Sequence, residues 1–337
     1  MRSFSIGSAH FPGCVIMAPM AGVGGSVFRQ IAREHGASLV VTPLINATAL
    51  VNRDKKSLRM AQTRPAEEPC AVQIFGSDAC SMREAARTVA GCGATIIDLN
   101  FGCPARRVVA AGAGAKLLLD PERIGAVASA VVDTVNIPVT AKIRAGWSRQ
   151  QITVREITLA LEQAGVAAIT LHARTKTDAP SCSPNWAWIR EAVDTVSIPV
   201  VGNGGVTRPE DAIRLVDTTG CAAVMIGRAA VGRPWLLGQC QQALDGEHWR
   251  GEPDWHYRLL IARRHVDMQA SLDPAERQVR ITAGVISAYM RGMHGARTIR
   301  PKLFLLDTYK ELLHVLDSVI SRYEEYPKNE DDESELQ

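Results

Sequence analysis

The chain has 337 residues, 46% hydrophobic and 22% charged, enough for one large globular domain and a smaller one. Net charge is +3, yet residues 324–337 hold seven acids and one base (−6), leaving +9 on the rest, a balance suited to a polyanionic partner. No apolar run approaches the roughly 18 residues of a membrane span, the cysteines form no CxxC pair and the histidines no HExxH, so a membrane protein, a disulfide framework and a metal site are all disfavoured.

The first apolar segment, Val15-Ile16-Met17-Ala18, is broken by Pro19 and lacks the layout of a cleavable signal, so a cytoplasmic location is expected. From there, short β-rich runs recur every 25–40 residues: Val15–Pro19, Leu39–Thr42, Ala71–Phe75, Thr95–Asn100, Pro138–Ile143, Ala168–Ala173, Pro199–Asn203 and Ala223–Gly227. Most lack polar alternation, as strands buried on both faces do. Helix signals lie between them. Asp120-Pro121-Glu122 offers an N-cap, a first-turn proline and an acid at the positive dipole end, and Ile124, Val127, Ala128, Val131 and Val132 follow as one apolar face. Thr207-Arg208-Pro209-Glu210 fits a capping box.

About eight βα units in about 230 residues predict an α/β fold, a (β/α)8 TIM barrel. An open doubly wound sheet is the alternative, but G-x-G-x-x-G is absent after the first strand. Beyond about Trp235 the strand pattern stops. Leu259, Leu260, Val266, Val279, Val285, Ile286, Leu303, Leu306, Leu312, Leu313 and Leu316 read as the apolar contacts of an all-helical appendage. The expected organisation is a barrel over 1–238, a helical domain over 239–322 and a disordered acidic tail over 323–337.

Chemistry in a barrel belongs at the C-terminal ends of its strands. Those ends read Pro19-Met20-Ala21-Gly22, Gln73, Asn100 with Cys103, Lys142 with Arg144, His172 with Arg174, Gly202-Asn203-Gly204-Gly205 and Gly227-Arg228. Glycine turns after the seventh and eighth strands suit a phosphate cradle. Lys142 suits either a rim lysine or a cation beside an electron-rich cofactor edge. Asn100 and Gln73 suit either capping of strand ends or reading of a cyclic imide. His172 could be a satisfied core histidine, a reading the neighbouring cation and cradle weaken. Cys103, on a Gly/Pro turn, is open between nucleophile, ligand, proton donor and buried small residue.

These residues, at these spacings, resemble the tRNA-dihydrouridine synthases, especially the bacterial B-type branch. The matching blocks are Ala18-Pro19-Met20-Ala21-Gly22, Gln73-Ile74-Phe75-Gly76-Ser77, Asp98-Leu99-Asn100-Phe101-Gly102-Cys103-Pro104, Gly112-Ala113-Gly114-Ala115, the run Pro138 to Trp147, Gly202-Asn203-Gly204 and Met225-Ile226-Gly227-Arg228-Ala229. The resemblance covers about residues 10–320. It implies an FMN-dependent barrel with a helical RNA-binding domain that reduces the 5,6 double bond of uridine in tRNA, with NADPH recharging the flavin; a monomer is the separate expectation for its oligomeric state. Pro19, Met20, Ala21, Gln73, Lys142, His172, Asn203, Gly204, Gly205, Gly227 and Arg228 would then hold FMN. Asn100, Arg144 and Arg174 would lie at the target base, and Cys103 would be the catalytic proton donor. A thiol of ordinary pKa, about 8.5, is mostly protonated at neutral pH and can serve.

The chain departs from the family pattern at Gly24-Gly25, Pro43-Leu44, Gly205, the Asp178–Trp186 stretch and Ala283-Gly284-Val285. A flavin barrel acting on a free pyrimidine or another small enone, and an RNA-binding descendant with little catalysis, are the alternatives these departures leave. In the appendage, Arg277, Arg280, Arg291, Arg297, Arg300 and Lys302, with Tyr289 and His294 among them, suit phosphate contact and base stacking.

Overall fold

The computed structural model describes residues 2–325. Eight strands form a closed parallel barrel: β1 (Val15–Met17), β2 (Leu39–Val41), β3 (Cys70–Phe75), β4 (Ile96–Asn100), β5 (Val139–Arg144), β6 (Ala168–His172), β7 (Val200–Asn203) and β8 (Ala223–Ile226). Each pairs with its sequence neighbours, and β8 returns to β1 with Met225 opposite Ile16, so no edge remains open. All eight expected strands are present, each within two residues of its expected ends. Their near-continuous burial explains the missing polar alternation.

The helices begin where local chemistry satisfies their first amides. Asp54, Asp78 and Asp120 accept from the amides of Ser57, Ser81 and Arg123. The helix after β7 starts at Pro209, so the acid that reaches back is Asp211 rather than Glu210. Asp211 accepts from the Thr207 and Arg208 amides at 2.9 and 3.0 Å. Of the five apolar residues expected on the helix Pro121–Val132, Ile124, Val127, Ala128 and Val131 are buried and Val132 partly so. A hairpin that the sequence pattern did not reveal, Phe4–Ile6 with Ala9–Phe11, stacks its two phenylalanine rings at 5.0 Å. Its turn at Gly7 lies beside Pro138 and Ala167, at the N-terminal ends of β5 and β6, so it closes the end opposite the mouth.

The chain divides into two compact units. One comprises residues 1–230 and 234–249 and includes the helix Trp235–Leu244, which packs on β1 and on the helix Pro209–Thr219. The other comprises residues 231–233 and 250 onward, with helices Trp255–Leu272, Val279–Tyr289, Ala296–Leu303 and Tyr309–Glu325. Leu259, Val266, Val279, Val285, Ile286, Leu303, Leu312 and Leu316 are buried there, whereas Leu260 is exposed. The last helix runs through Glu325, into the stretch expected to be disordered; the rest of that acidic tail lies outside the described residues. Among the described residues, no helix is long and apolar enough to cross a membrane.

Candidate active site

Side chains two apart on a strand share a face. On β5 that places Thr140, Lys142 and Arg144 together; on β4, Asp98 and Asn100; on β6, Thr170 and His172. Strand register then sets Gln73 beside Asp98, Asp98 beside Thr140, Asn100 beside Lys142, and His172 between Arg144 and Asn203. The upper half of the barrel is therefore lined with polar side chains.

They are joined by hydrogen bonds. Thr140 Oγ1 donates to Asp98 Oδ1 and Gln73 Nε2 to Asp98 Oδ2, both at 2.6 Å. Asn100 Nδ2 donates to Gln73 Oε1 at 2.8 Å. Lys142 Nζ donates to Asn203 Oδ1 at 2.9 Å, and Asn203 Nδ2 to the Met225 carbonyl at 2.8 Å. The Gln73 amide N–H is taken by Thr42 Oγ1. Burial pushes the Asp98 carboxyl up, against the hydrogen bonds from Thr140 and Gln73 and the charge of Lys142. Burial, with Arg144 next, brings the Lys142 ammonium down to about 8, with Asp98 opposing. Burial and then the cations Lys142, Arg144, Arg174 and Arg228 bring His172 down to about 2, so its ring is neutral at neutral pH. Arg174 Nη1 lies 3.1 Å from His172 Nε2; a guanidinium only donates, which assigns the imidazole proton to Nδ1. Asp98, Thr140 and Thr42 escaped the sequence reading of the site. The available signal was a carboxylate inside an otherwise apolar strand.

The Cys103 turn is fastened from three sides. Asn100 Oδ1 accepts from the Gly102 and Cys103 amides at 3.3 and 2.9 Å. Arg144 Nε donates to the Gly102 carbonyl at 2.9 Å while its Nη1 reaches the Thr175 carbonyl at 2.8 Å. Ala115 N donates to the Cys103 carbonyl at 3.1 Å. The adjacent Gly114, at φ +59°, has no room for a side chain: a Cβ would meet the Cys103 carbonyl oxygen at 2.7 Å. Cys103 itself is half-buried.

Across the mouth, the amides of Gly204, Gly205, Gly227 and Arg228 donate to no protein acceptor among the described residues. Four unspent donors at these two strand ends fit a phosphate monoester such as that of FMN. Pro19 and Met20 are half-buried and Ala21 is exposed, and the Met20 sulfur lies close to Gly227. Gln73 differs from the rest in being wholly buried, with both ends of its amide bound to protein. The segment 178–186 lies over the cradle as a strap. Arg174 Nε holds its Cys182 carbonyl at 2.7 Å, Arg228 Nη2 its Pro180 carbonyl at 3.2 Å, and Trp186 Nε1 donates to the Gly204 carbonyl at 2.9 Å.

In the helical unit, Arg277, Arg280, Arg291, Arg297, Lys302 and His294 are exposed and Arg300 is half-buried, its Nε bonded to Ser287 Oγ at 2.8 Å. Tyr289 corrects an expectation. It is 1% exposed and packs edge-on against His265 at 6.1 Å, so its ring is core and offers no face to a base.

The family model described as dihydrouridine synthase (Dus) matches residues 16–324. The chain is 36% identical over 302 residues to tRNA-dihydrouridine synthase B of Pseudomonas aeruginosa, covering 89% of this chain and 90% of that protein. It is 42% identical over 284 residues to tRNA-dihydrouridine synthase B of Yersinia pestis, covering 77% and 88%. Among solved structures, histamine dehydrogenase from Rhizobium matches with a TM-score of 0.56 at 14% identity over 72% of this chain and 47% of that larger one, a likeness of fold.

Proposed function

The chain belongs to the dihydrouridine synthase family, and from that premise we propose that it reduces the 5,6 double bond of uridine in tRNA, with Cys103 protonating C5. FMN, recharged by NADPH, supplies the hydride that C6 of the uracil receives. The observation that carries this reading is the pairing, on one barrel mouth, of an unspent amide cradle with a thiol on a fastened turn.

In this reading the amides of Gly204, Gly205, Gly227 and Arg228 hold the flavin phosphate, with the Arg228 guanidinium adding charge. Lys142 and His172 would help hold the ring system, the ammonium able to stabilise added negative charge and the neutral imidazole able to offer its Nδ1–H. Pro19, Met20 and Ala21 bound the ring, and Gln73 and Asn203 act from beneath, through the hydrogen bonds that orient their neighbours. Asn100, Arg144 and Arg174 border the base. Arg144 retains Nη2 for a uracil carbonyl after Nε has braced the Cys103 turn and Nη1 has bound the Thr175 carbonyl. Cys103 would give its proton to C5, quenching the charge that gathers on C5 and the C4 carbonyl. The base must leave its stack to reach the mouth, which costs about a few kcal/mol. The exposed arginines of the helical unit supply phosphate contacts that offset this cost. The enzyme would act in the cytoplasm, as a monomer.

Cys103→Ala protein should keep its yellow flavin yet form dihydrouridine about 10²- to 10⁴-fold more slowly on unmodified tRNA. Full activity in that variant would remove the proton-donor role.

A further inference from the structure

A carboxylate in the middle of a barrel strand is expensive to bury, and no step proposed above uses Asp98. Its place in the hydrogen-bond chain supplies a reason. Backbone amides can only donate, so the Asn100 atom facing the Gly102 and Cys103 amides, at 3.3 and 2.9 Å, must be its oxygen. The Asn100 nitrogen therefore faces Gln73, which must answer with its own oxygen, at 2.8 Å. The Gln73 nitrogen is then left facing Asp98, at 2.6 Å. An oxygen that faces an amide NH₂ can only accept, so Asp98 Oδ2 continues at the lower end of the chain the sense set at the upper end. Thr140 Oγ1, at 2.6 Å from the second oxygen, stops the carboxylate from rotating. With both amides buried, a reversed amide would find no water to satisfy it.

We propose that Asp98 is a positioning residue for Cys103: through Gln73 and Asn100 it sets the direction of the hydrogen bonds that hold the thiol-bearing turn at the mouth. The proposal rests on the reading of Cys103 as proton donor. Without an acceptor at position 98, Gln73 is free to turn over. Asn100 is then pressed to turn with it, presenting NH₂ to amides that cannot accept.

The test compares Asp98→Leu, which removes the acceptor, with Asp98→Asn, which can still offer oxygen to Gln73 and NH₂ to the Thr140 hydroxyl. In flavin-loaded protein, Asp98→Leu should lower kcat about 10- to 100-fold with KM for tRNA changed less than about twofold. Asp98→Asn should stay within about threefold of the parent. Carbamidomethylation of Cys103 by iodoacetamide, followed by peptide mass spectrometry without RNA, should change at least about threefold in the leucine variant and remain near the parent rate in the asparagine variant. Parental kcat and alkylation in folded Asp98→Leu would overturn the proposal, as would equal damage from Asp98→Asn. Should the leucine variant not fold, Asn100→Asp replaces it. That change sets oxygen against oxygen at Gln73, and adding Asp98→Asn lets the whole chain run in reverse with both turn amides still accepted. The pair should bring the alkylation rate back toward that of the parent; additive effects would refute the relay. Alkylation is read without RNA, so a parent protein that makes no dihydrouridine would sink the functional reading and leave the relay separately judged.

Discussion

The barrel mouth and the helical unit spend polar groups in opposite ways. In the mouth, Asp98, Gln73, Asn100, Thr140, Lys142 and Asn203 are turned inward, and each commits hydrogen bonds to another. On the helical unit, Arg277, Arg280, Arg291, Arg297 and Lys302 stand in solvent. Buried polar groups are coupled, because a missing partner leaves its neighbour unsatisfied in a low dielectric. Exposed charges are screened and act nearly independently. One region works by geometry and the other by charge, so substitutions should propagate in the first and add in the second.

The largest expected effect lies in the mouth. Lys142→Met removes the ammonium and strands the Asn203 oxygen, so flavin retention after gel filtration and dihydrouridine yield should each fall by about 100-fold. Retention equal to the parent would mean that the cation is a rim lysine after all.

Stability sharpens the same contrast. Glu67 is fully buried, accepts Arg29 Nε at 2.8 Å and Nη2 at 2.6 Å, and is also bonded by Ser26 Oγ. Glu67→Ala leaves the Arg29 charge buried without its partner and should cost about 3–5 kcal/mol in urea unfolding. Arg280 and Asp307 lie 3.5 Å apart with both side chains 79% exposed, so Arg280→Ala should cost less than about 0.5 kcal/mol. Similar costs for the two would erase the distinction between buried and exposed polar groups.

How much of this was legible in the sequence follows the same division. The eight strands were readable because parallel strands buried on both faces are uninterrupted apolar runs closed by turns. The strand ends were readable because Asn100, Cys103, Lys142 and His172 are polar residues where such runs stop. Asp98 stood out only as a carboxylate inside an otherwise apolar strand, and the pattern did not say that its face points into the barrel. Contacts such as Arg144 with the Thr175 carbonyl and Arg228 with the Pro180 carbonyl depend on how distant loops meet, which no local pattern encodes. In the helical unit, 3.6-residue periodicity found the core, yet it could not say that Tyr289 faces inward with Val285 and Ile286 or that Leu260 faces out. The helix Trp235–Leu244 has the same periodicity as the appendage and packs on β1 of the barrel unit, so composition alone could not assign it.

The charge side of the comparison is tested by replacing Arg277, Arg280 and Arg297 together with alanine. KM for tRNA should rise about 10-fold at unchanged kcat, and the dependence of log KM on log salt should flatten by up to about three, one for each phosphate no longer neutralised. A fall in kcat instead would show that these residues reach the reacting centre. Tyr289→Leu, in protein that stays folded, should leave KM unchanged, because the ring is buried, and a rise would restore the stacking role that its position denies.

The smallest expected effect is a fraction of a proton, and it reports on whether the mouth is as dry as its hydrogen bonds imply. With Lys142 at about 8 rather than its ordinary 10.5, the ligand-free native protein binds fewer protons than the unfolded chain across that interval. Its contribution to stability therefore rises with pH from 8 toward 10.5. An anionic ligand beside the ammonium favours the charged form and pushes in the other direction. FMN binding to the flavin-free protein should accordingly take up part of a proton at about pH 9 through Lys142, which contributes none at about pH 6, where it is already charged. Titration calorimetry in buffers of different ionisation enthalpy measures this directly. Lys142→Met should abolish the buffer dependence at the higher pH, whereas Arg280→Ala should leave it intact. A parent protein with no buffer dependence at about pH 9 would place Lys142 in contact with water or away from the anion, and the mouth would then resemble the solvated helical surface rather than contrast with it.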